Sequence, residues 1–133
     1  MNPELDARLR ADYPLIFALA PIADPDDPDV PALPSSIATW GIQCGDGWYY
    51  LIDALCAMLQ HATTNGAPQV IATDVKEKFG GLRFHCRGHN DEQEGMITLA
   101  EYMSGRLCEI CGNRGTVLRS GWVKTRCPEH ENI

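Results

Sequence analysis

The chain has 133 residues and a mass of 14.7 kDa, with 44% hydrophobic and 22% charged residues. That length excludes two full-sized cores, and that balance excludes disorder throughout. A formal net charge of -7, from 18 acids against 11 bases, argues against attraction of nucleic acid or anionic membrane to the whole surface.

The start, MNPELDARLRADYP, lacks the basic lead and apolar stretch of a secretory signal. No run approaches the roughly 18 apolar residues of a membrane span. The expectation is a cytoplasmic protein with no membrane partner. There, six cysteines point to metal binding or chemistry before disulfides.

Asn2-Pro3 reads as an N-cap and first helical position, predicting a helix over about 3–12. Residues 21–36, PIADPDDPDVPALPSS, hold five of the nine prolines and four aspartates, Asp24, Asp26, Asp27 and Asp29. They read as an extended acidic loop. A helix follows over about 48–63, with Asp46 as its expected N-cap and Leu51, Leu55 and Met58 at helical spacing. Residues 69–88 read as a β-hairpin turning at Gly80-Gly81. A further amphipathic helix is expected over 92–107, with Met96, Leu99, Met103 and Leu107 along its apolar side.

Cys108-x2-Cys111, then fifteen residues, then Cys127-x2-His130 closes the chain. Thiolates and a neutral imidazole are the ligand types Zn²⁺ prefers, and this pair-loop-pair spacing suits a tetrahedral structural site. A hairpin over 116–126 would return the chain to the metal. Cys86-x2-His89 makes a rival pair, yet a helix rising about 1.5 Å per residue would carry Cys108 roughly 20 Å from it. Four protein ligands leave no open position, so the expected ion is one structural zinc per chain. The segment resembles a treble-clef zinc finger.

The expected architecture is therefore α+β: compact helices packed on a β-hairpin, with a C-terminal treble-clef-like zinc finger. Residues 1–107 form the α+β domain with its acidic loop 21–36, and residues 108–133 a zinc-binding module packed on it.

Charge is unevenly placed. Residues 1–60 carry nine acids and two bases, 2 - 9 = -7, whereas residues 61–133 carry nine of each. With the turn at Gly80-Gly81, Phe79 faces Leu82, Lys78 faces Arg83, Lys76 faces His85 and Asp74 faces Arg87. Lys76, Lys78, Arg83, His85 and Arg87 gather on one side, opposite Val75, Phe79, Leu82, Phe84 and Cys86. Such a basic side binds an anion, pairs with the aspartates of the acidic loop, or is solvated. Glu77 falls awkwardly among the apolar residues. Residues 105–127 add five bases against Glu109, with Trp122 either stacking on a ligand or covering the finger's core.

Cys44, in the glycine-rich WGIQCGDGW ahead of a helix, is a candidate nucleophile, although no Cys–His–Asp triad assembles from spacing. Trp40, Trp48, Tyr49 and Tyr50 are expected to anchor the core or wall a partner pocket. The combination CGDGW, VKEKFGGLRF and CEICG…GWVKTRCPEH resembles small uncharacterised proteins encoded in bacteriophage and prophage genomes. The resemblance runs from Trp40 onward and implies expression inside an infected bacterium, with no catalytic residues to transfer. The leading expectation is thus a non-enzymatic, zinc-stabilised phage accessory protein that binds a macromolecule. A protein partner comes first, for instance a host nucleic-acid-binding defence complex inhibited in the manner of anti-CRISPR proteins. The alternative is a nucleic-acid binder using the basic hairpin and finger, and the third reading is an enzyme at Cys44.

Overall fold

The computed structural model describes residues 1–18, 26, 27, 29 and 35–133. Most of the acidic stretch, Asp24 included, lies outside the described residues; Asp26, Asp27 and Asp29 are exposed. Helix α1 spans Pro3–Asp12, and the Asn2 side chain accepts from the Leu5 N–H as its cap. A short α2, Ser36–Trp40, is capped by Ser35. After a 3₁₀ turn, Asp46–Trp48, comes the central helix α3, Tyr49–Thr64. Strands β1, Ile71–Lys78, and β2, Gly81–Arg87, form an antiparallel hairpin. Helix α4, Asp91–Ser104, precedes the terminal segment, where β3, Thr116–Leu118, pairs with β4, Lys124–Arg126, ahead of a 3₁₀ turn at Pro128–His130. The arrangement is α+β, and no described helix is long and apolar enough to cross a membrane.

One core joins these elements. Trp48, Ile52, Leu55, Cys56 and Leu59 of the central segment bury against Val75, Leu82 and Phe84 of the hairpin, with Leu9, Ile37 and Ile97 closing the sides. The free edge of β1 is covered, as an exposed row of peptide groups would otherwise invite a foreign strand. Gln43 supplies a short parallel bridge, its N–H donating to Val75 O and its carbonyl accepting from Glu77 N, and Ile16 O accepts from Ala72 N.

The hairpin register differs from the one expected. Lys78 pairs with Gly81, Lys76 with Arg83 and Asp74 with His85, with a bulge between Ala72 and Asp74. The turn is therefore Phe79-Gly80, with φ of 53° and 81°, the pair of positive angles a two-residue type I′ turn demands. Phe79 leaves the apolar side and stands 72% exposed at the tip. The reason lies in the finger. Thr125 Oγ1 donates to Gly80 O at 2.6 Å, and a Cβ on Gly80 would sit 3.3 Å from Lys124 N. Glu77 also finds its role, accepting the Gly80 N–H at 3.0 Å and bracing the turn.

Helix α4 presents a different face from the one its large apolar residues suggest. Gln93, Ile97, Ala100 and Ser104 are buried, while Leu99, Tyr102 and Met103 are exposed. Hydrogen bonding explains the exchange. Ser104 Oγ accepts the Leu82 N–H at 2.9 Å, and Gln93 both completes a capping box with Asn90 and donates to Pro68 O. The Leu82 N–H, which burial would leave unsatisfied, thus finds its partner on α4.

Candidate metal centre and adjoining arginine groove

Cys108, Cys111, Cys127 and His130 converge, with all four donor atoms within 4.8 Å of one another. Cys108 and Cys111 lie on a tight knuckle in which Gly112 N donates to Cys108 O at 2.8 Å. The β3–β4 hairpin then returns the chain, and Cys127 precedes and His130 ends the terminal 3₁₀ turn begun by Pro128. The measured edges are 3.6 Å from Cys108 Sγ to His130 Nδ1, 3.7 Å from Cys111 Sγ to Cys127 Sγ and 3.3 Å from Cys127 Sγ to His130 Nδ1. Metal bonds of about 2.0–2.3 Å in a tetrahedron generate edges of about 3.3–3.8 Å. The sulfurs are too far apart for a disulfide at about 2.05 Å. The four residues could therefore hold one metal ion. Cys86 Sγ instead lies 3.6 Å from its own neighbour His89 Nδ1, outside this cluster.

The cluster is prepared for a cation. Burial pushes the Cys108 thiol up. The backbone N–H groups of Cys127, Cys111 and Ile110, with the His130 ring, outweigh that and hold it at about 6. Cys111 moves the other way: the Asn113 N–H lowers it, but burial and the neighbouring thiols Cys127 and Cys108 prevail. One thiolate forms readily and opposes the next, an opposition that a divalent ion removes.

The knuckle is seated on the CGDGW loop. Gly47 N donates to Glu109 O at 2.8 Å, Gly45 N to Glu109 Oε2 at 2.9 Å, and Trp48 Nε1 to Leu107 O at 2.9 Å. Glu109 Oε1 also meets Arg126 Nη1 at 3.2 Å, with both side chains largely buried. Both glycines are needed for the close approach. A Cβ on Gly47 would lie 2.6 Å from Gly112 N and 2.7 Å from Cys111 N, and one on Gly45 would lie 2.9 Å from Glu109 Cγ. Asp46, expected as the cap of α3, turns outward and accepts from both nitrogens of Asn2; α3 has no side-chain cap.

Cys44 is buried beneath this seat. Burial pushes its thiol up to about 12, with Glu109 and Asp46 adding to the rise. No histidine is brought to its sulfur by any described hydrogen bond or ion pair, so its surroundings favour the neutral thiol of a core residue. Trp48 and Tyr49 are core residues; Trp40 and Tyr50 are exposed.

The basic face of the hairpin is partly compensated. Asp74 lies 3.2 Å from Lys76 and 3.6 Å from His85, and Glu101 lies 3.9 Å from Arg83. Arg87 is half-buried in the last position of β2, and Lys78 places its ammonium 5.6 Å over the Phe79 ring. Positive charge concentrates elsewhere, in an open groove of about 1020 Å³ between the end of α4 and the start of the finger. Arg83, Arg106, Arg114 and Arg119 line it, with Glu101 its one acid and Tyr102 on its wall. Neither Arg114 nor Arg119 makes a side-chain ion pair among the described residues. Of these four, Arg83 stood out in the sequence by its place on the hairpin, and Arg106, Arg114 and Arg119 only as three of the five bases counted over residues 105–127. The others come from separate turns, and no short run of bases marks them.

Gly47→Ala should lower unfolding free energy by at least about 2 kcal/mol through steric conflict with the knuckle. Gly95→Ala, on the open face of α4 with nothing near its Cβ, should instead add about 1 kcal/mol. Urea titrations of the two variants test this, and equal midpoints would remove the seat from the account.

Comparison with protein-family models, with curated proteins and with solved structures returns no match to this chain.

Proposed function

We propose that this is a zinc-stabilised, non-enzymatic binding protein whose ligand is a nucleic acid held along the arginine groove. The observation that carries the reading is the groove itself. Four arginines against one carboxylate give 4 - 1 = +3 in a chain whose formal charge is -7. Guanidinium groups without carboxylate partners suit phosphate, which they grip through paired N–H donors.

Zinc is the ion we assign to the cluster, because three thiolates and one imidazole are its preferred set and four protein ligands leave no position for a substrate. The order knuckle, two short strands, terminal turn supports a finger of the treble-clef kind. Elemental analysis should find one zinc per purified chain, falling to near zero in a Cys108→Ser, Cys127→Ser double variant. Unchanged metal content in that variant would exclude the assigned ligands.

For the ligand, the salt dependence of binding is diagnostic. Each phosphate neutralised contributes about -0.7 to the slope of log affinity against log salt for single strands. An Arg114→Gln, Arg119→Gln variant should bind a labelled oligonucleotide more weakly at low salt, with a slope shallower by about 1.4. No retention of the native protein's oligonucleotide at low salt would reject this reading.

A second reading, favoured by the exposure of Asp26, Asp27 and Asp29, is capture of a protein with a basic surface. In the setting implied by the likeness to phage-encoded proteins, a host defence complex is one such target. Replacing Asp24, Asp26, Asp27 and Asp29 by asparagine should then weaken, at low salt, whatever protein co-purifies from an expressing bacterium. Identical recovery from the variant would discard the acidic segment as its surface.

A further inference from the structure

Two large aromatic side chains stand at the tips of two hairpins with no structural task. Phe79 is 72% and Trp122 80% exposed, and both line one groove of about 470 Å³ with Glu77, Lys78, Gly121 and Val123. Sequence reasoning placed Phe79 in the core and allowed Trp122 to cover the finger; neither ring does so. Burial cannot account for residues left so open to water.

The backbone sharpens the point. Phe79 is the one non-glycine residue with positive φ among the described residues, at 53°. An L-residue meets a steric penalty in that region, and the position ordinarily takes asparagine, aspartate or glycine. A phenylalanine there is held at a cost and, beyond the Lys78 ammonium over its ring, recovers little by packing. The tips are also fixed relative to each other, since buried Thr125 donates to Gly80 O at 2.6 Å and Val123 reaches within 3.2 Å of the Gly80 Cβ position. The rings thus border the groove before any ligand arrives.

We propose that Phe79 and Trp122 form a clamp that stacks the bases of a single-stranded nucleic acid. The charges nearby select that occupant over an apolar peptide. Lys78 lies at the Phe79 ring and Lys124 follows the Trp122 loop, while Arg106, Arg114 and Arg119 line the separate arginine groove. The acid in the groove, Glu77, is turned onto the Gly80 N–H. Exposed rings among cations are the composition of single-strand binding surfaces, where rings hold bases and cations follow the backbone. A duplex keeps its bases stacked on one another and offers the rings little. The proposal rests on the nucleic-acid reading of the arginine groove but makes a separate demand on the ligand, free base faces.

The test uses the full, metal-loaded chain, its Phe79→Asn and Trp122→Ala variants, and three labelled probes: a twenty-nucleotide oligothymidine, an abasic phosphodiester of equal length, and polyglutamate. Stacking of about 1–3 kcal/mol per base predicts a 5- to 150-fold loss of oligothymidine affinity in each variant, with abasic binding unchanged. Asparagine accepts the left-handed conformation, so Phe79→Asn should raise Tm while weakening binding, which separates the effect from misfolding. Equal losses on oligothymidine and the abasic strand, or no loss on either, would overturn the clamp while leaving the groove reading intact. Loss confined to polyglutamate would overturn it in favour of an acidic protein. Failure of the native chain to bind either phosphodiester would end both readings.

Discussion

Everything in this molecule hangs on the contact between the CGDGW loop and the cysteine knuckle. Three hydrogen bonds, from Gly45, Gly47 and Trp48 to Glu109 and Leu107, join the start of the central helix to the first half of the metal cluster. Trp48 is the hinge of the arrangement. Its ring is buried in the core while its indole N–H reaches the finger. A tryptophan with a satisfied N–H can serve both environments at once, which few other side chains do. The metal cluster and the hydrophobic core are thereby parts of one structure, and Glu109, gripped by Arg126, fixes the knuckle's orientation toward both.

What could be read from the sequence divides by the range of the interactions involved. The Asn2 cap, the bounds of α1 and α3 and the four metal-site residues depend on neighbours a few positions away or on a ligand spacing, and these were legible. The hairpin was legible as an element but not in register. Gly80-Gly81 is locally the better turn, and Phe79-Gly80 is selected because Thr125, forty-five residues on, needs the Gly80 carbonyl. The face of α4 was misleading for a related reason. Leu99, Tyr102 and Met103 point outward, whereas Ile97 is buried, Met96 packs on the core, and Ser104 and Gln93 point inward to hydrogen-bond Leu82 and Pro68. Tertiary demand on a backbone group outweighed side-chain hydrophobicity in both cases. The glycines of CGDGW were visible as a cluster, yet their purpose, clearance for a knuckle some sixty positions away, has no local signature.

The charge distribution has the same character. Summed along the chain, the second half is neutral; in space, its acids and bases separate. Asp74 and Glu101 are spent on the hairpin and Glu109 on the knuckle, so the remaining guanidinium groups gather beside the finger. An acidic protein can in this way carry one surface that attracts anions while the rest repels them, which favours a particular docking orientation over diffuse adhesion.

The seating of the knuckle also sets an order of events as the chain folds. Cys111 and Cys127 are 16 residues apart, whereas Gly45 and Glu109 are separated by 64. Loop-closure entropy rises with length and non-local pairings form late, so the metal loop can close on itself well before it docks. The arginine groove draws Arg83 from one side of that docking event and Arg114 and Arg119 from the other. Its charge constellation exists only in chains that have completed both steps, and partly folded chains lack the grip of finished ones.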